Sequence, residues 1–82
     1  MIVMVQLKHY PPAAAMSKGY IKIQLKDGDT IGALKRELRE LMPEIFPEAE
    51  VAEYVADGRL AGTDAILRDG SEVAMLFPMT GG

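Results

Sequence analysis

Thr30 to Pro43 is the one stretch of this chain with a sustained helical period. Ile31, Leu34, Leu38 and Leu41 recur at spacings of three and four, so they form one apolar stripe, while Lys35, Arg36, Glu37, Arg39 and Glu40 face water. Lys26-Asp27-Gly28-Asp29 is turn chemistry, and Thr30 stands where a helix N-cap belongs, its hydroxyl able to accept an orphan backbone N–H. Pro43 closes the helix, because its ring has no N–H to donate. A single amphipathic helix covers one face of one sheet, so the remaining apolar residues must supply that sheet.

They do so at period two. Residues 2–9, IVMVQLKH, read as an interior strand buried on at least part of both faces. Beyond the loop YPPAAAMSKG, Tyr20 to Leu25 alternates, with Ile21, Ile23 and Leu25 on one face and Tyr20, Lys22 and Gln24 on the other. After the helix, the residues up to Glu50 read as a loop from which Ile45 and Phe46 tuck back onto the core. Val51 to Val55 is a predicted third strand, Asp57-Gly58 a two-residue hairpin turn, and Leu60-Ala61 a brief return strand. Thr63-Asp64-Ala65 is expected as a single helical turn and Arg68-Asp69-Gly70-Ser71 as a tight turn. Glu72 to Phe77 is the last strand, with Val73, Met75 and Phe77 inward and Ala74 and Leu76 outward.

The chain has neither repeats nor an interdomain linker, and a final strand returning beside the first satisfies the handedness rules for crossovers. The expected architecture is a two-layer α+β β-grasp: a mixed sheet of four to five strands with one main helix on one face, spanning residues 1–77. Residues 78–82 are expected to form a flexible tail.

Composition narrows the function. Nine basic and twelve acidic side chains give a net charge of −3, the wrong sign for a protein that binds phosphate backbones, so nucleic acid is excluded as an expected partner. No apolar run approaches the roughly 20 residues that span a bilayer, and the opening apolar run is followed, not preceded, by Lys8, unlike a secretory signal. A cytoplasmic protein with no membrane partner is expected. The absence of cysteine removes thiolate metal ligands and a cysteine nucleophile, so any sulfur chemistry must take its sulfur from outside. His9, the only histidine, has no second ligand of its kind, and no metal site is expected. Asp57, Asp64 and Asp69 lack calcium-loop spacing and read as turn residues, and Ser17 and Ser71 lack an evident base. The chain alone is expected to catalyse nothing.

The ending FPMTGG is the remaining unexplained feature. At a glycine usage of about 7%, a random chain ends in two glycines roughly once in 200, so the pair calls for a reason. The run Leu67 to Gly82, LRDGSEVAMLFPMTGG, has a leucine, an acidic-glycine turn, an apolar strand, a proline and a closing Gly-Gly. It resembles the MoaD/ThiS-like sulfur carriers of the ubiquitin-like superfamily, and the helix opening at Thr30-Ile31 extends the likeness across the chain. Pro78 and Thr80 are similar to the small subunit of molybdopterin synthase in particular. Ser71 replaces a second acidic residue usual in the family, a mild change at what is expected to be a solvated turn, and the loop Tyr10 to Gly19 lacks the arginine-glutamate pair frequent in that branch.

The resemblance implies that Gly82 is adenylated by an E1-like activating enzyme using ATP and converted to a thiocarboxylate, with no cofactor bound by the chain itself. Gly81 keeps the tail slim, since glycine has no Cβ to obstruct a narrow active site. Pro78 stiffens the base of the tail by fixing φ. Ala74, Leu76, Phe77, Pro78, Met79 and Thr80 are the implied contacts for the activating enzyme and for the large subunit of molybdopterin synthase or another sulfur acceptor. Thiamine or another thiolation pathway, and conjugation to lysines as a protein modifier, are the alternatives consistent with the same tail.

Overall fold

The computed structural model describes residues 1–8 and 20–77. Five strands form one mixed sheet: β1 (Ile2–Lys8), β2 (Ile21–Gln24), β3 (Glu53–Ala56), β4 (Arg59–Leu60) and β5 (Glu72–Leu76), in the order β2-β1-β5-β3-β4. β1 pairs antiparallel with β2 and parallel with β5, and β5 pairs antiparallel with β3. The main helix, α1 (Ile31–Leu41), lies in sequence between the two hairpins. Its buried residues join Val3, Val5, Ile23, Tyr54, Val73 and Met75 in one core. This is the β-grasp that the sequence predicts.

The helix start accounts for every orphan donor of its first turn. The Thr30 hydroxyl accepts from the Ala33 N–H at 3.3 Å, while the Ile31 and Gly32 N–H groups donate to the carbonyls of Ala65 and Thr63 at 3.0 and 2.9 Å. The cap therefore also staples α1 to the segment leading into β5. That close approach explains Gly32, because a Cβ there would lie 2.9 Å from Thr63 Cγ2. The core side of the helix carries Ile31, Ala33, Leu34 and Leu38. Each fully buried aliphatic side chain contributes about 1.5–3 kcal/mol, so this stripe is the main link between the layers.

Several local expectations are corrected. Leu41 is exposed; α1 ends there, and Met42 and Ile45 pack against the core at that end instead. The segment read as a loop holds a 3-10 turn at Pro43–Ile45 and a short helix, α2 (Glu48–Val51), although Ile45 is buried and Phe46 packs against the core as expected. Val51 belongs to α2 rather than to β3, and it is exposed. The run Glu48-Ala49-Glu50 favours a helical turn, its acids suit a helix N-terminus, and buried Ala49 anchors it. β4 begins one residue early, at Arg59, because Asp57 and Gly58 adopt φ of 50° and 84° and so form a two-residue turn that pairs Ala56 with Arg59 at once. Residues 62–65 form a tight turn closed by Ala65 N–H to the Gly62 carbonyl at 3.0 Å, not a helical turn.

Candidate functional site on the open sheet face

Strand alternation gives the sheet a covered face and an open one. Val73, Met75 and Phe77 point into the core, and Val5 and Leu7 beside them on β1 are also buried. Ala74 and Leu76 consequently lie on the side away from α1, where each is partly buried by its neighbours. Across the ladder, Gln6 is paired with Ala74, Lys8 and Glu53 with Leu76, and Val55 with Ala74. A shallow hollow of about 420 Å³ sits on this face, bordered by Gln6, Tyr20, Val55, Glu72 and Ala74. The strip is therefore apolar along its middle, through Met4, Ala74, Val55 and Leu76, with charged residues at its margin.

Two side chains organise the margin. Tyr20 donates its hydroxyl to Glu72 Oε1 at 3.0 Å, tying the start of β2 to the start of β5. That hydrogen bond and the adjacent carboxylate charge raise the Tyr20 pKa above its ordinary value, since ionisation would remove the donor and set two negative charges together. Asp57 clamps the hairpin turn to β5 from both sides: its Oδ1 accepts from the Glu72 N–H at 2.9 Å, and its own N–H donates to the Glu72 carbonyl at 2.8 Å. Asp69 holds the start of β1 from one side, its Oδ1 accepting from the Ile2 N–H at 2.8 Å, while the Gly70 N–H donates to the Ile2 carbonyl at 2.7 Å. Both aspartates thus have the turn-forming work expected of them, and each fixes the entrance of a central strand. Among the described residues, no three His, Cys, Asp or Glu side chains are grouped so as to hold a metal ion.

Of the expected contact residues, Ala74 and Leu76 are brought together on the open face. Phe77 is 5% exposed and belongs to the core, so its side chain anchors the end of β5 rather than lining a partner surface. Pro78, Met79, Thr80, Gly81 and Gly82 lie outside the described residues, as do His9, Ser17 and the loop Tyr10 to Gly19. Ser71 also departs from its expected place at a solvated turn. It is 4% exposed, and its hydroxyl accepts from the Arg68 N–H at 2.9 Å, closing the turn from inside. Sequence reasoning missed Met4, Gln6, Tyr20 and Val55 as neighbours of Ala74 and Leu76, because only the cross-strand register places them there. The alternation of β1 and β3, combined with a parallel pairing of first and last strands, was the signal available.

A model of the ThiS family matches residues 14–82. SAMP1 from Haloferax volcanii has a crystal structure that matches with a TM-score of 0.82 over 100% of both chains, at 16% identity. A putative molybdopterin converting factor subunit 1 from Pyrococcus furiosus matches at 0.78 and 18% identity, over 96% of this chain and 99% of its own. The complex of subunits 1 and 2 of the molybdopterin-converting factor from Helicobacter pylori contains a chain matching at 0.60 and 22% identity, over 100% of both chains. Comparison with curated protein sequences gives no significant match. Structural likeness at these identities speaks for the fold; the family match speaks for descent. No helix among the described residues is long and apolar enough to cross a membrane.

Proposed function

Because this chain belongs to the ThiS family, we propose that it is a sulfur carrier whose Gly82 carboxylate is activated and converted to a thiocarboxylate. The observation that carries this reading is the reach of the family match, which takes in the helix, the last strand and the closing Gly81-Gly82 together. A carboxylate is a poor electrophile. An E1-like enzyme would join it to AMP from ATP with release of pyrophosphate, giving an acyl-adenylate whose AMP is a good leaving group. A persulfide sulfur then displaces AMP, and reduction of the resulting S–S bond by a thiol leaves the thiocarboxylate on Gly82. This chain's own contribution is to present the carbonyl. Gly81 and Gly82 have no side chains to block a narrow active site, and Phe77 fixes the point from which residues 78–82 continue.

The acceptor we propose is the large subunit of molybdopterin synthase, with this chain as its small, non-catalytic partner in the cytoplasm. Support comes from Pro78 and Thr80 ahead of the glycines, and from the names of two structural relatives, one a putative subunit 1 of a molybdopterin converting factor and the other a chain of a complex of subunits 1 and 2 of such a factor. Ala74 and Leu76 on the open face, with Pro78, Met79 and Thr80 beyond them, would meet that subunit and the activating enzyme. Expressed beside an activating enzyme and supplied with ATP and a sulfur donor, the protein should gain the intact mass of one oxygen replaced by sulfur. No such species under those conditions sinks the proposal.

A second reading is favoured by one relative, the Haloferax volcanii small archaeal modifier protein 1, whose name denotes a protein modifier. Activation through Gly82 is common to both readings and the acceptor separates them. Lysines bearing a Gly-Gly remnant in digested cell proteins would mark conjugation.

A further inference from the structure

The turns Asp27-Gly28, Asp57-Gly58 and Asp69-Gly70 share a dipeptide and a backbone feature, the glycine lying at a φ of 84° in each. They also share a covalent reactivity. The backbone nitrogen of the glycine can attack the side-chain carboxyl carbon of the aspartate before it, because a glycine has no Cβ to obstruct the approach. Asp29 and Asp64 instead precede Thr30 and Ala65, whose side chains do obstruct it. All three Asp-Gly turns are exposed, so access to water does not separate them. Hydrogen bonding does.

Two of the three carboxylates are held. Asp57 Oδ1 accepts from the Glu72 N–H at 2.9 Å, which keeps its carboxyl group on β5. Asp69 Oδ1 accepts from the Ile2 N–H at 2.8 Å, and there the attacking nitrogen is engaged as well, since the Gly70 N–H donates to the Ile2 carbonyl at 2.7 Å. At Asp27 neither group is held. Its side chain is 97% exposed, with Oδ1 3.5 Å from a Met1 amino group that already donates to the Leu25 carbonyl at 2.8 Å. The Gly28 N–H has no hydrogen-bond partner among the described residues, and a Cβ built on Gly28 would meet nothing within 4 Å, so the turn has room to bend. Each bond that must break first slows the attack by about tenfold, because the net worth of a hydrogen bond is close to the free energy that changes a rate by that factor.

We propose that Asp27-Gly28 is a self-modification site, at which the folded chain forms isoaspartate and so loosens the turn that leads into α1. The Gly28 nitrogen attacks Cγ of the protonated Asp27 carboxyl group and loses its own proton, a carboxyl oxygen leaves as water, and a cyclic succinimide results. Water then adds back. Opening at the former backbone carbonyl leaves the chain running through Cβ and Cγ, longer by one methylene and unchanged in mass. The turn has little slack for that extra length: the Asp29 N–H donates to the Lys26 carbonyl and the Lys26 N–H to Asp29 Oδ2, both at 3.0 Å. The Asp29 carbonyl in turn accepts from the Leu67 N–H at 2.8 Å, just ahead of the Thr30 cap. The inference does not rest on the sulfur chemistry proposed above.

The test holds the full-length protein at neutral pH and physiological temperature, and samples it over weeks. Peptides are separated and weighed after digestion with a protease that cuts before aspartate but not before isoaspartate. Isoaspartate at position 27 should accumulate about tenfold or more faster than at 57 or 69, with a transient species there lighter by one water. In denaturant the three rates should converge, since the bonds that hold Asp57 and Asp69 are gone. Asp27→Glu, which lengthens the side chain and keeps its charge, should abolish the water-light species at this turn and unfold as the parent does. The separated isoaspartate form should melt about 4–8 °C below the parent, the effect of one hydrogen bond's worth of stability in a domain of this size. No isoaspartate at 27, or equal rates at 57 or 69 in the folded protein, overturns the proposal. The same bias in denaturant also overturns it, by assigning the preference to sequence rather than to the fold, and an isoaspartate form that melts with the parent overturns the loosening of the turn.

Discussion

Ser71 shows how much one side chain can do inside a turn. Its N–H donates to the Arg68 carbonyl, its hydroxyl accepts from the Arg68 N–H, and its carbonyl accepts from the Met4 N–H at 2.8 Å. The residue thus closes the turn and starts the β1–β5 ladder in the same stroke. Ser71→Ala would leave the Arg68 N–H without its acceptor in a part-buried site, at a cost of about 1–2 kcal/mol in thermal unfolding. An aspartate at this position, acidic as is usual among the carriers this chain resembles, offers the same acceptor. It should keep most of that stability if the carboxylate stays at the turn's edge. A destabilisation by Ser71→Ala too small to measure would assign the hydroxyl no role. Sequence reading placed Ser71 in the right turn but on the wrong side of its surface. Turn chemistry fixes backbone positions, whereas burial depends on what the sheet later packs beside them.

Among the elements, β3 and α2 are joined by Tyr54, and the union carries a pH dependence. The Tyr54 ring is buried and its hydroxyl donates to the Ala49 carbonyl at 2.8 Å. Burial first, and the nearby Glu50 charge second, push its pKa far above the ordinary 10.0. The folded protein therefore holds this proton where the unfolded chain has released it. The stabilisation is fully present below the unfolded value of about 10 and is lost progressively above it, because there the unfolded state binds fewer protons. Denaturant unfolding followed from pH 8 upward should show stability falling beyond about pH 10, and Tyr54→Phe should flatten that part of the profile relative to the parent. Identical slopes in the two proteins would remove Tyr54 from the account. The same elements show where legibility stopped. α1, β1, β2 and β5 carry long or strictly alternating apolar patterns and were readable to within a residue or so. α2 spans only four residues, too few for a period to emerge, so the β-branched Val51 was drawn into a strand it does not join. Leu41 was read as core because the helical period continues through it, but the helix ends there and its neighbours turn away.

At the scale of the whole molecule, folding and proposed chemistry occupy different parts of the chain. The core closes with Phe77, and the residues proposed to carry sulfur follow it. The fold and the outward places of Ala74 and Leu76 were legible from alternation alone. The shallow hollow on the open face was not, because it joins residues from β1, β3, β5 and the residue before β2 that no local pattern connects. Two variants test the separation. Leu34 is fully buried on the helix stripe, and Leu34→Ala should cost about 2–5 kcal/mol, a large share of the stability of so small a domain. Gly82 follows Phe77 by five residues in sequence, and on the proposed reading its removal should change stability by less than about 0.5 kcal/mol, as surface changes do, yet abolish thiocarboxylate formation. Thermal unfolding and intact mass after incubation with activating enzyme, ATP and sulfur donor are read on both proteins. The Leu34→Ala protein, tested at a temperature where it stays folded, should still accept sulfur, because its carbonyl is presented as before. If loss of Gly82 lowers the melting temperature as far as Leu34→Ala does, the closing glycines belong to the packed structure, and the division between a folded core and a chemical tail fails.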